Sequence, residues 1–271
     1  MNSLRVFLIQ QARVFWPARL VFEDAPLTSM ERLSVGGILI QHPTGGYVLV
    51  DNGLANPSAF SSLPLNIPLA KNFFRASVPR QIKDAGISLR DIKHLVLTHL
   101  HFDHVGDPSL YSEARIWLTK EELRKAKDSM GFMQGYPISI HQWDYRIEAL
   151  PTSYSIQNDF SPFPILKDIF GDKSVVLVST PGHTLGSMSV LVQTDEKKYL
   201  LCGDACVCRS NYRENRHSGS FLFFNYDKKP RLAKETRIKI ASWEKADEKL
   251  NVIPAHDFEL WNSSVQFPES L

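Results

Sequence analysis

Apolar positions along this chain fall in short runs rich in Val, Ile and Leu, and most of the runs stop at Gly, Pro, Asn or Asp. The first, within MNSLRVFLIQQARVFWPARLVF, predicts an opening strand. LSVGGILIQHPTGGYVLVDNG predicts a hairpin that turns at Pro43-Thr44-Gly45-Gly46 and ends at Asp51-Asn52-Gly53. Residues 54–78 lose any clean period and are rich in Pro, Asn, Ser and Phe, which predicts a long loop near a site or an interface. PRQIKDAGIS then predicts a short helix stopped by Gly, and DIKHLVLTH a buried strand. After it come a strand in ARIWLT and a charged, exposed helix in KEELRKAKDSM, with Thr119 and Glu122 in capping-box positions. SVVLVSTPGHTLGSMSVLVQTDEKKYLLCGDAC repeats the theme as strand, loop, strand, turn, strand. PRLAKETRIKIASWEKADEKL predicts a helix of mixed charge, and NVIPAHD a last short strand. Strands alternating with helices place the chain in the α/β class, with two sheet halves and outer helices.

Composition narrows this picture. The 271 residues suit one α/β domain, 1–271, and 43% apolar with 22% charged residues suit a soluble globular protein. The formal net charge of +2 calls for neither nucleic acid nor an anionic membrane, and Lys228, Lys229, Arg231 and Lys234 read as a solvated cluster. Arg5, Arg13 and Arg19 interrupt the N-terminal apolar run before it reaches signal or membrane length. The three cysteines, Cys202, Cys206 and Cys208, crowd into one segment and do not suit a secreted disulfide framework. A cytoplasmic protein is therefore expected, with these cysteines as small side chains at a strand end.

The candidate chemistry lies in LVLTHLHFDHVGD, where three histidines and two aspartates follow an apolar β-branched run directly. Alternation along an extended chain projects His99, His101 and Asp103 together, and a turn at His104 supplies a fourth group. Imidazole with carboxylate suits zinc, iron, manganese or cobalt. That is more than one catalytic ion ordinarily takes from its protein, so two ions are implied. Further ligands then have to arrive from other strand ends, and His183, Asp204 and His256 stand in such places. Asp51 either caps its hairpin or hydrogen-bonds a ligand histidine. His42, His94, His141 and His217 read as ordinary core histidines.

The ordered set T-H-x-H-x-D-H, P-G-H-T-x-G, G-D and a late A-H-D resembles the metallo-β-lactamase superfamily along nearly the whole chain. The resemblance implies an αββα sandwich with a dinuclear site at one edge. In it His99, His101 and His183 would hold one ion, and Asp103, His104 and His256 the other, with Asp204 bridging. LVDNG, THLHFDHVG, STPGHTLGSMSVLV and the A-H-D ending look most like the N-acyl homoserine lactone lactonases within it. That likeness implies opening of a lactone or ester by a hydroxide held between two divalent ions, zinc first among them, with Asp103 passing a proton to the leaving alkoxide. A small-molecule substrate and a homodimer are the expected partners. Two departures stand out. Val207 occupies the place where those lactonases carry a substrate-facing tyrosine, for which Tyr212 or Tyr226 is a candidate replacement, and Asp107 follows Gly106 where a second Gly is usual. Phe60, Phe73 and Phe74 would either line an acyl-chain pocket with Val207 and Tyr212, or pack against a partner subunit. A glyoxalase II-like thioesterase, a phosphotriesterase, and a metal-retaining regulator or binding protein are the alternatives.

Overall fold

A computed structural model describes residues 4–54, 73–128, 131–137, 147–152, 160–221 and 224–271. The opening run forms β1 (Arg5–Pro17), followed by a single turn, α1 (Ala18–Val21). The predicted hairpin is β2 (Met30–His42) with β3 (Gly46–Val50), and Gly46 takes the positive φ its turn requires. Then come β4 (Phe73–Phe74), α2 (Val78–Asp84), β5 (Ile92–Val96), α3 (Phe102–Val105), β6 (Arg115–Thr119), α4 (Lys120–Ala126) and β7 (Ile147–Leu150). The strands line up as β4-β1-β2-β3-β5-β6-β7. In the second half, β8 (Ile165–Asp168), β9 (Val175–Ser179), β10 (Met188–Gln193) and β11 (Lys198–Gly203) precede α5 (Ser210–Arg213) and a small ribbon, β12 (Ser220–Phe221) with β13 (Phe224–Asn225). The long helix α6 (Pro230–Ala246), β14 (Leu250–Pro254) and α7 (Phe258–Ser263) complete it. The second sheet runs β14-β11-β10-β9-β8.

Side-chain alternation along the strands builds the layers. Val6 and Leu8 of β1 face inward and meet Val175 and Leu177 of β9, Val190 and Val192 of β10 and Leu201 of β11 between the sheets. Phe7 and Ile9 face the other way, onto Val78 and Ile82 of α2. On the far side Val176, Val178, Leu191 and Leu200 pack against Ile240 and Trp243 of α6. Helix, sheet, sheet and helix thus stack in the αββα order that the resemblance implied.

Parallel pairing brings the strand ends to one edge. β3 pairs with β5 up to Val50 opposite Val96, and β11 with β14 up to Gly203 opposite Pro254. The chain leaves these strands at Asp51, Leu97, Asp204 and Ala255 respectively. Hydrogen bonds lock the sheets together at the same edge: Met188 N donates to Thr98 O (2.9 Å), and Ser34 N to His256 O (3.2 Å). Among the described residues no helix is long and apolar enough to cross a membrane.

Two local expectations need correction. Thr119 does cap α4, its Oγ1 accepting from Glu122 N, but Glu122 does not return to the cap; it is only 1% exposed and points inward. Lys228 is half-buried, unlike Lys229, Arg231 and Lys234, and burial pushes its ammonium down to about 8. Cys202 and Cys206 are buried, Cys208 is half-buried, and all three are free thiols, as their position at a strand end suggested.

Candidate metal centre

The histidines of the 98–104 segment are positioned by the end of β5. Asp51 begins the work just past β3, in a positive-φ conformation that turns its carboxylate back into the edge. Its Oδ1 accepts from Thr98 N (2.9 Å), and its Oδ2 accepts from Thr98 Oγ1 (2.9 Å) and faces His104 Nδ1 at 2.8 Å. Of the two roles open to Asp51, it therefore orients a histidine and ties down the segment that carries it. α3 then turns at once, so that His104 presents Nε2 on the same side as Asp103. Gly106 closes this turn with φ +55, and an added Cβ there would lie 2.3 Å from Asn52 Nδ2, so the position requires glycine. Asp107, beside it, caps the next turn by accepting from Ser109 N.

From the second sheet arrive His183, Asp204 and His256, and the carboxylate of Asp204 divides them into two groups. Its Oδ2 lies 3.7 Å from His99 Nε2 and 3.4 Å from His183 Nε2; His183 Nε2 in turn lies 3.0 Å from His101 Nδ1. Its Oδ1 lies 3.3 Å from His104 Nε2 and 3.0 Å from His256 Nε2, and Asp103 Oδ2 is 3.6 Å from that same His256 nitrogen. His99, His101, His183 and Asp204 form one cluster able to hold an ion; Asp103, His104 and His256 form another. All seven sequence candidates come together.

The donor set fits divalent metal ions. His104 and His256 aim ring nitrogens at each other at 3.2 Å, and His99 Nε2 is buried with no hydrogen-bond partner among the described residues. Outward nitrogens are held instead: His256 Nδ1 lies 2.7 Å from Ser34 O, and His99 Nδ1 lies 3.2 Å from Thr98 Oγ1. Holding the outer nitrogen fixes which one faces the site. Burial, together with neighbouring imidazoles, keeps His99 and His101 far below the usual histidine range, so both rings are neutral. Burial also pulls His104 and His256 down, but Asp204 and Asp103 outweigh it, with Asp51 added at His104, and both end above that range. Burial would raise Asp204, yet His256, His104 and His183 hold it well below the usual carboxylate range.

The remaining candidates separate. Tyr226 donates from Oη to Asp204 Oδ2 (2.6 Å) and stacks obliquely over His183, centroids 4.6 Å apart. Burial raises its hydroxyl well above the usual range, so it remains a donor. Tyr212, expected at the pocket, instead bonds Glu244 on α6 (2.8 Å) and packs behind β11. Val207 is fully buried in the same cluster as Tyr226 and does not reach the cleft over the candidate ligands. Phe74 packs against β1, while Phe73, 54% exposed, lies under the Arg13 guanidinium; neither lines that cleft. Phe60 lies outside the described residues, as does His141. Val14 and Trp16 of β1, Leu33 and Val35 of β2, and Phe102 form the apolar wall instead. Sequence pattern offered one signal for them, since each pair sits on one face of its strand.

Residues 35–256 match the family model of the metallo-beta-lactamase superfamily. The chain belongs to that superfamily. It is 28% identical over 239 residues to a probable metallo-hydrolase of Mycobacterium bovis, covering 83% of this chain and 75% of the relative. It is 25% identical over 277 residues to the N-acyl homoserine lactonase AttM of Rhizobium radiobacter, covering 99% of each. Among solved structures, a variant of the Bacillus thuringiensis protein AiiA with N-decanoyl-L-homoserine bound at its active site superposes with TM-score 0.76 at 20% identity, over the whole of both chains. That likeness shows a shared fold.

Proposed function

We propose that this metal-dependent hydrolase opens a lactone or ester, with N-acyl homoserine lactone as the reference substrate. The observation that carries the reading is the Asp204 carboxylate, each of whose oxygens faces a separate cluster of ligand side chains. His99, His101 and His183 would hold one ion and Asp103, His104 and His256 the other, with Asp204 shared. Two divalent ions so held would supply Lewis acidity and lower the pKa of water, making a nucleophile available at neutral pH. The chain's own residues do the rest. Asp103 is the most exposed of the seven candidate ligands, at 21% for its side chain, and it lines the cleft, so it is placed to hand a proton to a leaving alkoxide. Tyr226 puts a protonated hydroxyl into the same cleft, where the lactonases carry a tyrosine at the position filled here by Val207. The wall formed by Val14, Trp16, Leu33, Val35 and Phe102 suits an uncharged ring or acyl chain. Similarity to lactonases in sequence and fold supports the same substrate class.

The test is proton release in a pH-stat from zinc-loaded protein, with an acyl homoserine lactone run beside S-lactoylglutathione and an aryl phosphotriester. Turnover of the lactone is expected. Turnover of only one of the other two would retain the hydrolase and reassign its substrate; silence on all three with two ions bound would favour a binding protein.

A further inference from the structure

His183 is a candidate ligand whose outer nitrogen has no hydrogen-bond partner among the described residues, and it faces a buried carboxylate. Its Nδ1 lies 3.6 Å from Asp227 Oδ1. Asp227 is 3% exposed and is gripped from behind by Arg237 of α6, itself 1% exposed: Nη1 lies 2.8 Å from Oδ2, and Nη2 donates to Oδ1 at 3.0 Å. The same guanidinium donates from Nε to Ala205 O (2.9 Å), directly after Asp204, and from Nη2 to Ser218 Oγ (3.2 Å). Backbone bonds fix the distance between the two segments, Lys228 N donating to His183 O (2.9 Å) and Lys229 N to Gly182 O (3.0 Å). Gly182 permits this approach, since a Cβ there would meet the Ala233 backbone at 2.3 Å.

We propose that Asp227, clamped by Arg237, is the positioning carboxylate of His183, doing for the His99, His101 and His183 cluster what Asp51 does for His104. The inference rests on the metal-centre reading above. A histidine that ligates through Nε2 carries its proton on Nδ1, and a carboxylate facing that proton fixes the ring and strengthens it as a ligand. The present 3.6 Å gap closes to a hydrogen bond with a movement of about 0.6 Å. Arg237 keeps the carboxylate aimed, because two parallel N–H bonds leave one orientation of the plane.

An ion pair that merely supports the fold would affect both ions alike or neither. Loss of one carboxylate contact of this kind weakens its own site by about 10–100-fold. Asp227→Asn and Asp51→Asn are to be compared with wild type by chelator competition and by the visible spectrum of the Co2+-loaded protein. Asp227→Asn is expected to release one of two ions about 10–100-fold more readily and to perturb one set of cobalt bands; Asp51→Asn is expected to perturb the other. In the zinc-loaded wild-type protein, the His183 Nδ1 proton is expected as a downfield resonance, a reading that stands even if the variant does not fold. Two ions bound by wild type with unchanged affinity and spectrum in folded Asp227→Asn, or no downfield His183 proton, would overturn this inference alone. A wild-type protein that binds no metal would overturn the metal-centre reading and this inference with it.

Discussion

Glu122 has no hydrogen bond to a candidate ligand among the described residues, yet it holds both loops that carry the histidines of the first cluster. Its Oε1 accepts from Leu100 N (3.0 Å), between His99 and His101, and its Oε2 accepts from Thr184 Oγ1 (2.6 Å), beside His183. Glu122→Gln keeps one carbonyl oxygen and sets an amide N–H against the remaining donor. A buried polar group stripped of its partner costs about 1–3 kcal/mol, so this substitution is expected to cost about that much. Glu122→Ala strips both loops and costs roughly twice as much, a large share of the 5–15 kcal/mol that holds a typical protein folded. The glutamine variant is therefore the informative one. At about 2–4 °C per kcal/mol for a protein near this size, its midpoint should fall by roughly 2–12 °C in a thermal melt. Chelator competition should show weaker retention of the ion at His99, His101 and His183. A midpoint within about 1 °C of wild type, with metal retention intact, would refute the argument that this carboxylate ties the loops together.

Asp204→Asn should cost both ions, because each oxygen serves one cluster, while circular dichroism still reports the two sheets; full hydrolysis by metal-free Asp204→Asn would contradict the mechanism. Tyr226→Phe removes a donor to a charged acceptor, worth about 1.5–3 kcal/mol, and is expected to lower kcat/KM by roughly 10–100-fold without unfolding the protein. His104 and His256 have raised proton affinity in the free site, so loading with Zn2+ near pH 7 should expel protons from them; calorimetry in buffers of different ionisation enthalpy measures this, and binding without proton release would refute it. The sign predicts metal loss as pH falls, since protons then compete for these same nitrogens.

The candidate ligands were legible because each is local: an apolar run ends, and the next polar residue must occupy the sheet edge. Asp204 and His256 could be placed for the same reason as His99. Residues that act across the fold gave no such signal. Tyr226 and Asp227 precede α6 and reach the site only because Lys228 and Lys229 dock their segment onto residues 182–183. Tyr212 had equal standing in the sequence, but the turn of α5 sends it to Glu244. Glu122 read as half of a capping box, whereas Leu100 N and Thr184 Oγ1, both buried, claim its oxygens. Phe73 and Phe74 were open by composition to lining a pocket or packing on a partner subunit; pairing with Arg13 and Ala12 commits them to the sheet margin, and the wall falls to the adjoining faces of β1 and β2.

The division of ligands between the sheets has a mechanical consequence. One cluster draws His99 and His101 from the first sheet and His183 and Asp204 from the second; the other draws Asp103 and His104 from the first and His256 from the second. An ion held at each cluster would thus cross-link the halves of the sandwich, closing loops that span much of the chain. Ions at a free concentration of about 100 times their dissociation constant add about 2.7 kcal/mol per site to the force holding those halves shut. Chelation would then act as an unfastening of the sandwich, with the edge near Met188 and Thr98 the first to part under protease or heat, so that metal supply would govern the lifetime of the protein as well as its activity.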